Sequence, residues 1–495
     1  MRLDPAEADA RLLDAVESLE RRSPTMSARR LLDQRQLRLL GGVALVTLAG
    51  LVLAPIETLI ILVVLATLAY VLTLSYRVLL FVWSARDPAL VVVTDEEAMA
   101  ISDWDLPVYT VLVPAYREPE VVEPLIAHLV GLQYPADRLD IKLLLEADDT
   151  ETIEAAVKAP GADRLDLVLV PPGEPRTKPK ALNFGLGLAR GDYVTIFDAE
   201  DQPDPLQLRR AVAAFARAGS DVACFQAKLA FGNSEQNLIT RWFTTEYVLW
   251  FALFLPGLAQ AGAPLPLGGT SNHFRRSVLE QLGGWDPFNV TEDADLGIRL
   301  HRQGWKARVL ESTTVEEANS DFVNWEKQRS RWYKGYIQTW LVHLRQPRRF
   351  WEQVGWRGFV QFNLFVGGTP LLSLVNPVFW FLTLLWFVAH PVFVRALFPA
   401  PVYYVALTCW ALGNFTIAYL ALLASKLTGR PSLVLAACLS PLYWVMMAIG
   451  AVKAVWQLLT APSFWEKTMH GLTPVFQKRT GEAAQHSEPV HSSFG

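Results

Sequence analysis

Gln328-Arg329-Ser330-Arg331-Trp332 is the stretch that decides how this chain of 495 residues is interpreted. No proline interrupts residues 323–340, so the stretch is predicted to lie on a helix. On that helix Gln328, Arg331 and Trp332 would share one face, because residues three and four apart are neighbours. An Arg-Trp pair in isolation is typical of an anchor at a membrane interface. Its role therefore depends on what precedes it.

Three acidic clusters precede this stretch. They are Asp148-Asp149, Asp198-Ala199-Glu200-Asp201 and Thr291-Glu292-Asp293. The first two follow short apolar runs at residues 143–145 and 193–197, which are typical of buried strands and alternate with helical patterns. Such alternation predicts an α/β fold with a parallel sheet, whose ligands bind at the carboxyl ends of the strands. We therefore expect the clusters to meet at one edge of that sheet.

The composition indicates a membrane protein. Hydrophobic residues make up 52% of the chain and charged residues 19%, and there are 17 tryptophans. The net charge of -4 gives no reason to expect a nucleic-acid partner. The three cysteines are widely spaced and fit neither a disulfide framework nor a zinc site, so we expect buried thiols.

An apolar hairpin precedes the acidic clusters. Residues 39–85 are long enough for two membrane helices that turn near Pro55. The preceding residues 1–38 form a predicted cytoplasmic segment, in which residues 6–22 have the spacing of an amphipathic docking helix. Positive charges flank the outer ends of the hairpin at Arg35, Arg38, Arg77 and Arg86. This pattern places both ends, and the domain at residues 100–335, in the cytoplasm.

Further apolar segments follow the domain. The predicted order is an interface helix at 336–357, transmembrane and interface helices at 358–460, a possible gating loop at 461–475 and a disordered tail at 476–495. Residues 433–459 are long enough for a span, but Pro441 and Lys453 interrupt them. We favour an in-plane or shallow re-entrant helix there, which leaves four spans and a cytoplasmic C-terminus.

The three acidic clusters followed by Gln-x-x-Arg-Trp resemble the processive family-2 glycosyltransferases, which include cellulose, chitin and hyaluronan synthases. The resemblance covers residues 105–335 and implies a cytoplasmic GT-A (Rossmann-like) catalytic domain inserted between transmembrane helices. It implies inverting transfer of a hexose, with glucose favoured, from a UDP-sugar donor to a growing β-linked polysaccharide. It further implies a multi-pass protein of the bacterial inner membrane that exports its product through its own channel, with periplasmic export proteins as candidate partners.

The resemblance implies a metal site and a catalytic base. Asp198 and Glu200 are two residues apart and would point to the same side, where they could hold Mg²⁺ or Mn²⁺ against the donor phosphates. The family has a second aspartate where this chain has Glu200, so Asp201 is the alternative ligand. Asp293 resembles the base that takes the proton from the acceptor hydroxyl. A helix cap made by Thr291 or Asp293 is the structural alternative.

The remaining site residues are also implied by the resemblance. Expected donor-binding residues are Tyr116, Glu118, Asp148, Asp149, Lys180 and Arg331, with Lys178 as a competitor of Lys180. Expected acceptor-binding residues are Thr291, Glu292, Gln328 and Trp332, whose ring suits stacking on a sugar. Residues Trp465, Lys467 and Thr468 are candidates for gating. His273 is expected to be structural rather than catalytic.

Three other functions are compatible with parts of the sequence. The first is transfer of a single sugar to a lipid acceptor such as a polyprenyl phosphate or ceramide. The second is a transporter or channel with a degenerate cytoplasmic domain, and the third is a sensor that binds nucleotide-sugar without turnover. Gln-x-x-Arg-Trp with helices on both sides favours polymerisation. Carboxylates at all three acidic sites argue against the transporter.

Overall fold

The computed structural model describes residues 4–86 and 88–466. The helices before the Gln328–Trp332 motif are α1 (Pro5–Arg22), α2 (Gln34–Leu53), α3 (Pro55–Arg86), α4 (Asp95–Met99), α5 (Pro119–Val130), α6 (Thr150–Lys158), α7 (Lys178–Leu186), α8 (Gln207–Arg217), α9 (Leu238–Leu249), α10 (Leu255–Gln260), α11 (Arg276–Gln281) and α12 (Glu292–Arg302). The later helices are α13 (Phe322–His343), α14 (Pro347–Phe362), α15 (Gly368–Ala389), α16 (Val392–Leu397), α17 (Ala400–Thr428), α18 (Leu433–Cys438) and α19 (Ser440–Thr460). The strands are β1 (Leu90–Val91), β2 (Tyr109–Ala115), β3 (Leu139–Glu146), β4 (Asp166–Val170), β5 (Tyr193–Ile196), β6 (Gln202–Pro203), β7 (Val222–Phe231), β8 (Asn272–Arg275) and β9 (Lys306–Glu316).

The strands form one mixed sheet in the order β1-β9-β7-β8-β5-β2-β3-β4, with β6 paired to β9. Strands β2 to β5 are mutually parallel, as the alternating pattern predicted. The prediction of a purely parallel sheet is wrong, because β8 runs antiparallel to both β5 and β7. Two helices, α9 and α10, separate β7 from β8 in the chain, and the chain returns from them in the opposite direction.

The sheet is buried on both faces. Along β2, Val111 and Val113 pack into one apolar cluster and Leu112 into the other, which is the period-two alternation of a strand. Helices cover both faces, and the α/β interpretation of the sequence is confirmed.

Helix α1 docks on the α/β domain. Arg11 Nη1 donates to the carbonyl of Gly187 at 2.7 Å, and Asn183 Nδ2 donates to the carbonyl of Ala15 at 2.9 Å. The predicted docking helix is therefore present, and it lies against α7 of the domain.

Helix α13 carries the Gln328–Trp332 motif. Asp321 caps it by accepting from the backbone N–H of Asn324 at 2.9 Å, and the helix continues to His343, as the sequence predicted. The expected interface helix at 336–357 is corrected: it comprises the end of α13 and most of α14. Pro347 explains the break, because a residue preceding proline avoids the helical backbone, and Gln346 has φ -126° and ψ 71°.

Within residues 4–86 and 88–466, five helical segments are long and apolar enough to cross a membrane, judged by length and composition. They are α2, α3, the segment Pro347–Ala389, which is kinked at Gly355, α17 and α19. The α2–α3 hairpin turns at Ala54 and Pro55, as predicted. Residues 433–459 divide into α18 and α19 just before Pro441.

Helix α19 contacts the α/β domain and α13 along its length. Near its start, Tyr443 donates from its hydroxyl to Glu246 Oε2 at 2.6 Å. Further along, Lys453 Nζ contacts Glu326 Oε2 of α13 at 2.8 Å, and beyond its end Gln338 Nε2 donates to the carbonyl of Pro462 at 2.9 Å. These contacts hold α19 against α9 and α13, and both its in-plane orientation and the number of spans stay predictions.

Candidate active site

A cavity of about 860 Å³ lies between the strand ends and the membrane-length helices. Its walls on the domain side include Lys178, Asp198, Glu200, Glu292, Asp293, Gln328, Arg331 and Trp332. Its other walls come from α3, α15, α17 and α19. Two of the three acidic clusters and the motif on α13 therefore meet at one site, as the sequence predicted.

The position of Asp293 is fixed by the packing of α12 on α13. Gly335 of α13 permits this packing, since a Cβ there would lie 2.2 Å from Thr291 Oγ1. The loop before α12 is held by the same helix, because Gln338 Oε1 accepts from the backbone N–H of Val290 at 3.1 Å. The α13 helix thus places both the motif and the start of α12.

The Asp293 carboxyl is suited to accept a proton near neutral pH. Burial raises its pKa to about 6, while the Ala294 N–H, Lys178 and Arg331 favour its ionised form. Burial, and secondly the charge of Asp293, raises the pKa of Glu292 to about 8. Near pH 7 the pair therefore holds one negative charge on Asp293. Thr291 makes no side-chain capping hydrogen bond, so the structural alternative of a cap by Thr291 is excluded.

Asp198 and Glu200 line the cavity, whereas Asp201 points away from it. Asp201 accepts from the backbone N–H of Asp198 at 2.7 Å and from the hydroxyl of Thr270, and it is 1% exposed. The geometry therefore favours Glu200 over Asp201 as the partner of Asp198. Burial, and secondly Asp198, raises the pKa of Glu200 to about 8.

Glu316 is a cavity residue that the sequence reasoning missed. It lies at the end of β9, and burial together with Asp201 and Glu200 raises its pKa well above the usual range. The signal was available, because Glu316-Glu317 is an acidic pair at a strand end, like Asp148-Asp149.

The carboxylates fit a divalent cation only if the donor supplies further ligands. Among the described residues, no group of three or more His, Cys, Asp and Glu side chains is placed to hold an ion. Mg²⁺ is commonly held by one or two carboxylates together with substrate phosphates. Asp198 and Glu200 match that requirement, and Lys178, whose ammonium contacts Asp198, would have to yield to the ion.

The two lysines of Thr177-Lys-Pro-Lys180 have different surroundings. Lys180 is fully buried and pairs at 2.9 Å with Glu146. Glu146 lines the cavity but Lys180 does not, which favours Lys178 as the donor-side lysine, and the donor contact expected of Lys180 stays a prediction. Lys178 lines the cavity and also donates to the carbonyl of Gly269 at 2.8 Å. Burial opposes charge on Lys178, but the carboxylates of Asp198 and Glu292 raise its pKa.

Replacing each lysine by methionine is expected to separate these roles. Lys178→Met should lower kcat/KM for the donor about 10- to 100-fold, because a hydrogen bond to a charged group is worth roughly 1.5–3 kcal/mol. Lys180→Met should lower the Tm instead, since Glu146 would remain buried without its partner. Donor titrations and thermal unfolding of both variants check this. A donor-binding defect in Lys180→Met at unchanged Tm would contradict the assignment.

The first acidic cluster lies beside the cavity. Asp149 caps α6 by accepting from the backbone N–H of Thr152 at 3.3 Å, and it also accepts from the N–H of Arg117. Asp148 pairs with Arg176 at 2.7 Å, and both side chains are partly exposed. Tyr116 and Glu118 line the cavity itself. Donor contacts by these residues stay predictions, and the capping geometry makes Asp149 the least available of them.

The motif residues on α13 have different surroundings. Arg331 lines the cavity, and Glu292, Asp293 and Asp198 are within electrostatic range of its guanidinium. Arg329, which the sequence reasoning did not use, makes a forked ion pair with Glu246, with Nη1 at 2.7 Å from Oε1. Trp332 also lines the cavity, and the guanidinium of Arg329 lies 4.8 Å from its ring centroid. One face of Trp332 is therefore covered by the protein.

The segment after α19 returns to the cavity. Lys334 Nζ donates to the carbonyl of Phe464 at 2.6 Å, and the Arg331 guanidinium lies 4.5 Å from the ring centroid of Trp465. Trp465 therefore covers the arginine expected to meet the donor. The other two gating candidates, Lys467 and Thr468, lie outside the described residues.

His273 is structural, as predicted. It is fully buried in β8, with Nδ1 2.7 Å from the hydroxyl of Tyr109. Burial lowers its pKa to about 3, so the ring is neutral near neutral pH.

Residues 107–335 match the family model described as "Glycosyltransferase like family 2". This part of the chain, slightly less than half of it, is therefore similar to family-2 glycosyltransferases.

Curated relatives match over the same part of the chain. A glucomannan 4-beta-mannosyltransferase 2 of Arabidopsis thaliana is 30% identical over 52% of this chain and 51% of its own length. A beta-monoglucosyldiacylglycerol synthase of Trichormus variabilis is 29% identical over 50% of this chain and 54% of its own. The chain thus spans about half the length of these relatives. Among solved structures, a mannosyltransferase of Pyrobaculum calidifontis in complex with GDP-Man and Mn²⁺ has 22% identity and a TM-score of 0.48, over 78% of this chain and 99% of that one.

Proposed function

We propose that this protein is an inverting hexosyltransferase that extends a β-linked polysaccharide from a UDP-sugar donor and passes the product into the membrane. The observation that carries the proposal is the single cavity joining the carboxylates to the membrane-length helices. On α15, Thr369, Ser373 and Asn376 line the cavity at intervals of four and three residues, which places them on one helical face. A polar stripe beside aromatic walls suits a saccharide chain.

The chemistry follows from the cavity residues. Asp293 takes the proton of the acceptor hydroxyl as that oxygen attacks C1 of the donor sugar, and a single displacement inverts the anomeric configuration. Arg331 and Lys178 neutralise the charge that develops on the leaving diphosphate. A divalent cation held by Asp198 and Glu200 would supply further charge neutralisation to the diphosphate. Trp332 lines the cavity and contacts the acceptor sugar.

Transfer of one sugar to a lipid is the second candidate. It is favoured by the apolar part of the cavity, where α3, α15 and α17 contribute Leu74, Leu372, Ile417 and Leu420. An alkyl chain fits such a wall better than a sugar does. The related proteins named above include both a polysaccharide-forming and a lipid-glycosylating type by their names.

The deciding experiment is incorporation of radiolabelled UDP-hexoses by the purified full-length protein with Mg²⁺ or Mn²⁺, with a GDP-hexose as the control donor. High-molecular-mass product from a UDP-hexose would support the polymerase. Label confined to a chloroform-soluble fraction would support the lipid acceptor instead. Lack of incorporation from every donor by folded protein would count against transferase activity.

The transfer rate is expected to rise with pH through about 6. Asp293 must be ionised to accept a proton, and its pKa is about 6, so activity is lost as pH falls below that value. Single-turnover transfer measured from about pH 4.5 to 9 checks this. These limits lie about 1.5 pH units or more from the expected midpoint of the rise in rate. An acidic limb centred near 8 would contradict Asp293 as the base and would point to Glu292, whose pKa is about 8.

A further inference from the structure

Arg77 is an arginine of a membrane-length helix that faces into the cavity. It lies on α3, nine residues before Arg86 at the helix end, or about 13 Å along the helix axis. Its Nη2 donates to the hydroxyl oxygen of Thr369 at 2.9 Å. The rings of Phe254 and Phe365 lie 6.0 and 5.9 Å from its guanidinium carbon. The sequence pattern had treated Arg77 as a flanking charge of the hairpin, whereas it is an internal one.

The charge of Arg77 has no anionic partner. Within the part of the chain that the structure describes, its buried Nε makes no hydrogen bond and no carboxylate forms an ion pair with it. Glu246 is within electrostatic range, but both of its oxygens are held by Arg329, and Tyr443 donates to one of them. This corner of the cavity therefore carries two arginines and one glutamate, a net positive charge. An ionisable residue inside a membrane-length helix that faces a cavity marks a candidate functional site.

Tyr336 interacts electrostatically with both Arg77 and Asp293. Burial raises the pKa of Tyr336, the Asp293 charge raises it further and the Arg77 charge lowers it. Tyr336 is therefore within electrostatic range of both groups and lines the same cavity. By contrast, Arg77 is not among the charges that act on Asp293 most strongly. An anion at Arg77 would thus be separate from the attacking hydroxyl but near enough to belong to the same acceptor molecule.

We propose that Arg77 binds the phosphate of an amphiphilic acceptor, a lipid-linked sugar whose hydroxyl reaches Asp293. The cavity offers such a molecule three matching regions: the carboxylate site for the sugar, Arg77 with Thr369 for the phosphate, and the apolar wall containing Leu74, Leu372 and Leu420 for the alkyl chain. Arginine suits phosphate because its planar fork presents several donors. The inference rests on the proposed transferase function. In polymerisation this acceptor is the primer, and in single transfer it is the substrate glycosylated.

Binding can be tested without turnover. Thermal unfolding of the full-length protein in neutral detergent is measured with decyl phosphate and with decyl glucoside as its uncharged counterpart. Decyl phosphate is expected to raise the Tm of the wild type and of Arg77→Lys by roughly 5 °C at saturation, and not that of Arg77→Gln. Arg86→Gln, an exposed arginine of the same helix, is the matched control and should respond like the wild type. An equal response of Arg77→Gln would overturn the proposal.

Turnover separates this inference from the proposed function. Glucose linked to a decyl chain through phosphate is compared with decyl glucoside as acceptor. Arg77→Gln should raise KM at least about tenfold for the phosphate-linked acceptor alone, with the KM for the donor unchanged. Wild-type transfer to both acceptors without dependence on Arg77 would reject the inference and keep the function. A rise in Tm with decyl phosphate, but no transfer to either acceptor, would keep the Arg77 site and reject the proposed transferase function. If Arg77→Gln raised the KM only for a glucuronate-containing oligosaccharide acceptor, the ligand of Arg77 would be an acidic polysaccharide and not a lipid phosphate.

Discussion

Asp293→Asn is expected to lower kcat about a thousandfold, within the range of 10²–10⁴ typical of general-base catalysis. The amide has the size of the carboxylate but cannot accept the proton of the acceptor hydroxyl. The side chain of Asp293 also makes few structural contacts: its Oδ1 accepts from the backbone N–H of Ala294 at 2.7 Å, which an amide oxygen can preserve. The Tm and the affinity for UDP should therefore stay unchanged. Transfer assays, UDP binding and thermal unfolding together check this expectation.

Glu292→Gln is the matched comparison for Asp293→Asn. Glu292 lies next to Asp293 in the same cavity, and its pKa of about 8 keeps it protonated near pH 7. Glutamine imitates that neutral form, so the loss of kcat should be well below that of Asp293→Asn. Equal losses in the two variants would show that the pair acts as one unit, and a larger loss in Glu292→Gln would exchange their roles.

The sequence sufficed for much of the site because its strongest signals are local. Asp198 lies two residues after the end of β5, and the carboxyl end of a parallel strand is where such folds bind ligands. The motif spacing on α13 needed only helical geometry. The Lys178–Lys180 choice was different, because two lysines two residues apart at a helix start diverge according to what packs around them. Lys180 pairs with Glu146 on β3, and such a long-range contact has no sequence signature.

The tertiary pairing of charges was the other part that the sequence could not supply. Arg329 and Arg331 are equivalent in a motif read by residue type, yet only one meets a carboxylate from α9. Arg77 was indistinguishable from Arg86 as a positive charge near a hairpin end. The antiparallel insertion of β8 was likewise hidden, because four residues are too short for a directional pattern.

Arg331→Gln is expected to lower kcat/KM for the donor about a hundredfold without lowering the Tm. Its guanidinium faces the cavity, and its buried Nε makes no hydrogen bond to any residue that the structure describes. The group is therefore available for the diphosphate, and a charge-assisted hydrogen bond to phosphate is worth roughly 1.5–3 kcal/mol. Arg331→Lys should restore only part of the activity, because an ammonium lacks the planar fork. Donor titrations with both variants measure this.

Glu246→Gln is expected to lower stability rather than donor binding, although its partner Arg329 belongs to the same motif as Arg331. It removes the carboxylate that Arg329 grips with both nitrogens, and Arg329 is 5% exposed, so an uncompensated charge would remain in a buried position. The Tm should fall markedly, with a smaller change in the donor KM. If Arg331→Gln instead lowered the Tm as much as Glu246→Gln, its stacking on Trp465 at 4.5 Å would be a structural contact, and Lys178 would remain as the cation for the diphosphate.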